Sequence, residues 1–121
     1  MQATINSITI AGHIDFDPAV CPGVLIKARP FIESARAQPG CVAYNWSFDP
    51  FVPGRVHVFE EWDSEQSLHR HFAGEPYRQM AEHLVGGGMN GFTINMYGVA
   101  VSEPVYDQNN SPRPVFFAGK R

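Results

Sequence analysis

The sequence predicts an α+β domain of the ferredoxin-like, split βαβ type, with a four-stranded antiparallel sheet. Segments of apolar alternation and segments of helical period follow one another as strand, helix, strand, strand, helices, strand. Turn chemistry closes each one: Asp17-Pro18, Pro39-Gly40, the two prolines and glycine of 49–54, and Gly86-Gly87-Gly88. A chain of 121 residues holds one core with little surplus for a second.

In the first strand, Ser7–Phe16, Ile8, Ile10, Ile14 and Phe16 point one way, and Ser7, Thr9, His13 and Asp15 the other. Gly12 interrupts the apolar face, as a bulge or a close backbone approach requires. From 22 to 37 the period becomes helical, with Val24, Leu25, Ala28, Phe31, Ile32 and Ala35 on one face. Pro30 removes a hydrogen bond there and clashes with the preceding turn at a cost of ~3 kcal/mol, which predicts a kink or a later helix start.

Alternation resumes in Cys41–Phe48, with Val42, Tyr44, Trp46 and Phe48 together, and returns antiparallel as Arg55–Trp62. A helix is predicted over 64–72, capped by Asp63 or Ser64, with Gln66 offset to close a capping box on Asp63. Gly74 breaks it, and Pro76 sits in the first turn of a second helix ending near 85. The fourth strand, 92–101, is apolar on both faces and is expected to be covered on both. Residues 1–101 thus make the domain. Residues 102–121 form a tail, either disordered or an arm needing a surface for Val115, Phe116 and Phe117.

Composition excludes several classes of function. The formal charge of -3 offers no basic stripe for nucleic acid or anionic membrane. Cys21 and Cys41 form no ligand spacing and read as reduced thiols. The N-terminal run lacks the features of a signal peptide, and no apolar stretch is long enough to span a bilayer, so the expected location is the cytosol. His69 and His71 diverge on their helix and have no acidic partner at ligand spacing, which argues against a metal site.

The run Gln38-Pro39-Gly40-Cys41-Val42-Ala43-Tyr44, then Glu60-Glu61-Trp62, then His71 nine positions after the tryptophan, resembles the antibiotic biosynthesis monooxygenase family of dimeric α/β barrels. The resemblance spans most of the chain, about residues 8–101. It implies a subunit paired through its sheet into a homodimer, with a pocket between sheet and helices. It further implies oxygenation of a small aromatic, polyketide or quinol substrate by molecular oxygen, with no metal, flavin or nicotinamide cofactor. Haem-degrading relatives carry an axial histidine where this chain has Ala81, and a tryptophan where it has His71. That pocket pattern is not reproduced here, so haem binding stands behind the first reading as an alternative, as does a non-catalytic dimer that binds a small ligand.

His71 is the candidate acid/base. Its place in the last turn of a helix favours imidazolium, and a helix-capping role is equally open to it. Glu60 shares a strand face with Val56, Val58 and Trp62, so it points into apolar surroundings, to orient His71 or a substrate hydroxyl or to pair with an arginine such as Arg78. Asn45, between Tyr44 and Trp46, is a candidate polar positioner or an intersubunit hydrogen-bond donor. Tyr44, Trp62, Phe72 and Tyr77 are candidate apolar walls as well as candidate core. His13 and His57 are assigned to the sheet-sheet interface or solvent.

Overall fold

A computed structural model of the chain describes residues 4–117, leaving residues 1–3 and 118–121 outside the description. Four strands form one antiparallel sheet: β1 (Ser7–Phe16), β2 (Cys41–Phe48), β3 (Arg55–Trp62) and β4 (Met89–Val99), in the order β2-β3-β1-β4. Between β1 and β2 run α1 (Cys21–Lys27) and α2 (Arg29–Arg36), and between β3 and β4 run α3 (Glu65–Ala73) and α4 (Glu75–Gly86). This is the predicted split βαβ arrangement. None of these helices is long and apolar enough to cross a membrane.

The buried cluster lies between the helices and one sheet face. It takes Ile8, Ile10, Ile14 and Phe16 from β1, Tyr44 from β2 and Val56 and Trp62 from β3, against Val24, Ala35, Leu68, Met80 and Leu84 from the helices. The opposite face carries Thr9, His13, Asn45, His57, Phe59 and Tyr97, as strand alternation requires. His13 and His57 stand directly opposite one another there, with ring centroids 6.0 Å apart. Cys21 and Cys41 are both free thiols, and burial raises the pKa of each.

Pro30 breaks the predicted single helix outright. It occupies the first turn of α2, where a missing N–H costs little, and Ala28 joins the two helices. Gly12 marks a close approach: a Cβ there would sit 2.1 Å from the Thr93 carbonyl oxygen on β4.

The fourth strand begins and ends earlier than the predicted 92–101, because its partner sets its extent. β1 starts at Ser7, which faces Val99, and the register shift at Asp15/Phe16 brings Met89 opposite Phe16. Among the described residues, the cover expected on both faces is incomplete. Phe92, Met96 and Tyr97 are all exposed.

Within the described residues the tail is held by polar contacts of its own. Asp107 Oδ1 accepts from the backbone N–H groups of Asn109 at 2.8 Å and Ser111 at 3.0 Å, and Arg113 pairs with Glu103 at 3.2 Å. Its apolar side chains stay outside, with Phe116 75% exposed.

Candidate functional site

Strand alternation on β3 sends Val58, Glu60 and Trp62 inward together, and the register sets Tyr44 opposite Glu60 and Trp46 opposite Val58. Helix α3 then brings His71 down onto this patch. Of the two predicted caps, Ser64 is the one used: its Oγ accepts from the Ser67 N–H at 3.1 Å, and no capping box forms on Asp63 among the described residues. Asp63 instead accepts from the Ser67 hydroxyl at 2.5 Å.

The Gln38-Pro39-Gly40 turn docks against the same helix. Gly40 has φ +84 and leaves no room for a Cβ, which would sit 2.0 Å from Ser67 Oγ. That close approach places Gln38 against His71. The imidazole Nδ1 is 2.6 Å from Gln38 Oε1. An amide oxygen can only accept, so Nδ1 carries the proton and Nε2 is left bare.

His71 is 1% exposed and lies inside a cage of four rings. Trp62 stacks on it at 4.4 Å between centroids, and Tyr77, Tyr44 and Phe72 close the other sides at 5.6, 5.7 and 5.7 Å. The four aromatic residues expected to wall a ligand are thus brought together, but around the histidine. The expected imidazolium is also corrected. Burial lowers the His71 pKa to about 4, so desolvation outweighs the carbonyl end of the helix and the ring is neutral.

Glu60 sits between this cage and a pocket. Its Oε1 accepts from Trp62 Nε1–H at 3.0 Å and lies 3.9 Å from His71 Nε2. The separation has the look of an ion pair. Burial nonetheless pushes Glu60 up to about 6 and His71 down, each toward its neutral form. The expected partner Arg78 is engaged elsewhere, by Glu75 and by Glu82. Its place on α4 is outside, while Glu60 is 8% exposed.

The pocket encloses about 310 Å³ between the sheet and α4. Tyr44, Trp46, Val58 and Glu60 line it from β2 and β3, Tyr77, Met80, Ala81, Leu84 and Val85 from α4, and Met89, Phe92 and Ile94 from the β4 side. A smaller chamber of about 260 Å³ adjoins it, bounded by Ile10, Glu60, Phe72, Tyr77, Ile94, Asn95 and Met96. Glu60 is the one carboxyl on the wall of either space, among the described residues. Tyr44 is held protonated, its pKa raised mainly by burial. Trp46 Nε1 is buried without a well-formed hydrogen bond, although it lies near enough to the Tyr44 hydroxyl to oppose that rise weakly.

The structure places three sequence-predicted residues away from the pocket wall. His71 does not line the pocket, because Glu60 stands in front of it. Trp62 is 0% exposed and acts on the pocket only through Glu60. Asn45 lies on the opposite sheet face, paired across to Phe59, and its Oδ1 accepts from Arg36 at 2.5 Å. Arg36 also donates to the Tyr44 carbonyl at 2.9 Å, clasping the free edge of β2.

Sequence reasoning passed over Trp46 and the α4 wall. Both carried a signal: Trp46 alternates with Tyr44, and Tyr77, Met80, Ala81, Leu84 and Val85 recur at helical spacing. No histidine lines the pocket. His83, near the haem-ligand position of the relatives, bonds the Val24 carbonyl at 2.8 Å. Among the described residues, no group of three or more His, Cys, Asp or Glu is placed to hold a metal ion.

The fold has counterparts among known proteins. A Synechocystis protein of unassigned function, sll1783, is 28% identical over 77 residues, covering 64% of this chain. The chain spans about half the length of that curated relative, 52%. A proposed antibiotic biosynthesis monooxygenase from Deinococcus radiodurans superposes with a TM-score of 0.74 at 19% identity, over 83% of this chain and 99% of that one. A second, from Nitrosomonas europaea, gives 0.72 at 12% identity over 82% and 95%. At such identities the structural likeness is one of fold. The family model for antibiotic biosynthesis monooxygenases matches residues 7–83, and these contain the Gln38 turn, Glu60, Trp62, His71 and most of α4, so the chain belongs to the antibiotic biosynthesis monooxygenase family.

Proposed function

We propose that the chain is a monooxygenase of small phenolic or quinol substrates, with Glu60 as the group that moves the substrate proton. The observation that carries this reading is the position of one carboxyl, raised to about 6, on an otherwise apolar pocket wall. A base tuned close to the working pH is ionised yet still able to hold a proton. A substrate hydroxyl seated against Glu60 would give up its proton there, and the electron-rich oxyanion left behind can pass electrons to dioxygen. Overall, a ring CH₂ and O₂ would become C=O and water.

His71 then has a positioning role. Neutral, with its proton held toward Gln38, it packs Trp62 into place, and Trp62 aims the Glu60 carboxyl by the 3.0 Å hydrogen bond. Trp46 adds its indole to the pocket wall beside Tyr44. Size supports substrates of one or two rings, since a cavity of about 150 Å³ suffices for benzene and this one holds about 310 Å³.

The working unit in this reading is a homodimer. The sheet face away from the helices carries Phe59 and Tyr97 largely exposed, and a second copy would cover them. The arm, with Phe116 outermost, would grip the same partner.

Oxygen uptake with a panel of naphthols and hydroquinones tests the catalytic claim. Glu60→Gln should lose about a hundredfold or more in turnover while still binding the substrate. Turnover that survives in Glu60→Gln removes Glu60 from the chemistry, and binding without turnover in the wild-type chain makes the protein a ligand carrier.

A further inference from the structure

Glu60, Tyr77 and Ile94 each border both the 310 Å³ pocket and the 260 Å³ chamber. The two spaces therefore meet at the carboxyl. Ile94 belongs to the sheet and Glu60 is fixed by Trp62, so both are held by their strands. Tyr77 is different. It stands in the first turn of α4, is 43% exposed, and rests edge-on against Phe72 at 5.2 Å and His71 at 5.6 Å. Its ring is the one part of the shared wall that strand pairing does not hold in place.

Taking the pocket beside Glu60 as the ligand site, as proposed above, we infer that the site has two chambers and that the Tyr77 ring is the partition between them. The ligands so selected are hydroxylated fused aromatics, with the hydroxyl at Glu60. A bicyclic ring system fills the larger chamber and stops at Tyr77. A tricyclic one needs space on both sides of Glu60, which the ring denies it. Removing the ring from the partition joins the chambers and also takes one of the four rings from around His71, while the Trp62–Glu60 and His71–Gln38 hydrogen bonds keep their own partners. Discrimination by a single side chain in an apolar pocket is commonly worth about tenfold or more.

Calorimetric titration with 2-naphthol and with 9-phenanthrol tests this on the full chain, with thermal melts to confirm folding. Wild type and Tyr77→Phe should bind 2-naphthol at least about tenfold more tightly than 9-phenanthrol. In Tyr77→Ala, or in Tyr77→Leu should the alanine variant fold poorly, the ratio of the two affinities should shift about tenfold toward 9-phenanthrol, whatever each loses from the missing wall. An unchanged ratio of the two affinities in a folded Tyr77 variant overturns the partition and leaves the ligand site standing. Failure of 2-naphthol to bind even the wild-type chain overturns both readings. Because binding alone is measured, loss of oxygen chemistry does not enter the outcome.

Discussion

The imidazole of His71 lies against the indole of Trp62, ring centroids 4.4 Å apart and planes 28° from parallel. The same indole donates its N–H to Glu60. A buried histidine therefore touches the pocket only through its neighbours, Trp62 with Glu60 on one side and the pocket-lining Tyr44 and Tyr77 on others, and its own loss should be felt first as loss of packing. His71→Ala removes a ring from a site that is 1% exposed and orphans Gln38 Oε1. Urea unfolding should show a loss of about 3 kcal/mol.

Two opposed proton linkages should shape the acid limb of stability. His71 falls from 6.5 to about 4 on folding, so between these values the unfolded chain binds a proton that the folded chain refuses. Its contribution is complete above about 6.5 and is lost as pH falls toward 4. Glu60 rises from 4.5 to about 6, so the folded chain keeps a proton that the unfolded chain releases. That contribution is complete below about 4.5 and is lost as pH rises through 6. Wild-type stability should consequently vary little from pH 6 down to 4.5. Glu60→Gln should instead weaken with acid across that window, and His71→Phe should strengthen. Urea midpoints at half-unit steps of pH measure all three.

Turnover should track the ionised form of Glu60. With its pKa at about 6, activity should climb between pH 5 and 7 and level off above. A profile that rises around pH 4 instead would point to His71 as the titrating group.

Asn45 should be dispensable for chemistry. It lies on the far face of the sheet and holds Arg36 rather than a ligand. Asn45→Ala should keep turnover within about twofold and cost about 1 kcal/mol through the weakened clasp on β2. A deep loss of turnover with unchanged stability would place Asn45 in a site completed by a second subunit.

Gly12→Ala should be among the most damaging small substitutions. Its methyl would sit 2.1 Å from the Thr93 carbonyl oxygen and 2.6 Å from Ile94 Cα, both backbone atoms. The β1–β4 pairing must shift to admit it, at a cost of about 2 kcal/mol or more. Since Ile94 borders both chambers, ligand affinity should fall as well.

The arm is tested by length. A chain ending at Val101 keeps every strand and helix and should fold with an unchanged melt. If the arm grips a second copy, light scattering should show that the shortened chain dissociates at higher concentration than the full one. Equal dissociation would free the arm from any role in self-association.

Local signals in the sequence determined the elements, because each obeys a short-range rule. Alternation placed β1, β2 and β3 at Ser7–Phe16, Cys41–Phe48 and Arg55–Trp62, and prolines and glycines marked the breaks at Pro30 and Gly74. It also brought forward the right inward face of β3, and with it Glu60 beside Trp62. Only the tertiary structure decided what these residues do to one another. The depth of His71 depends on four rings arriving from β2, β3, α3 and α4, and desolvation by that cage overrides the helix-end field that local position alone suggests. The sheet face of Asn45, the meeting of two cavities at Glu60 and Tyr77, and the placing of Glu60 rather than His71 on their walls are likewise matters of packing across distant segments, which no spacing along the chain records.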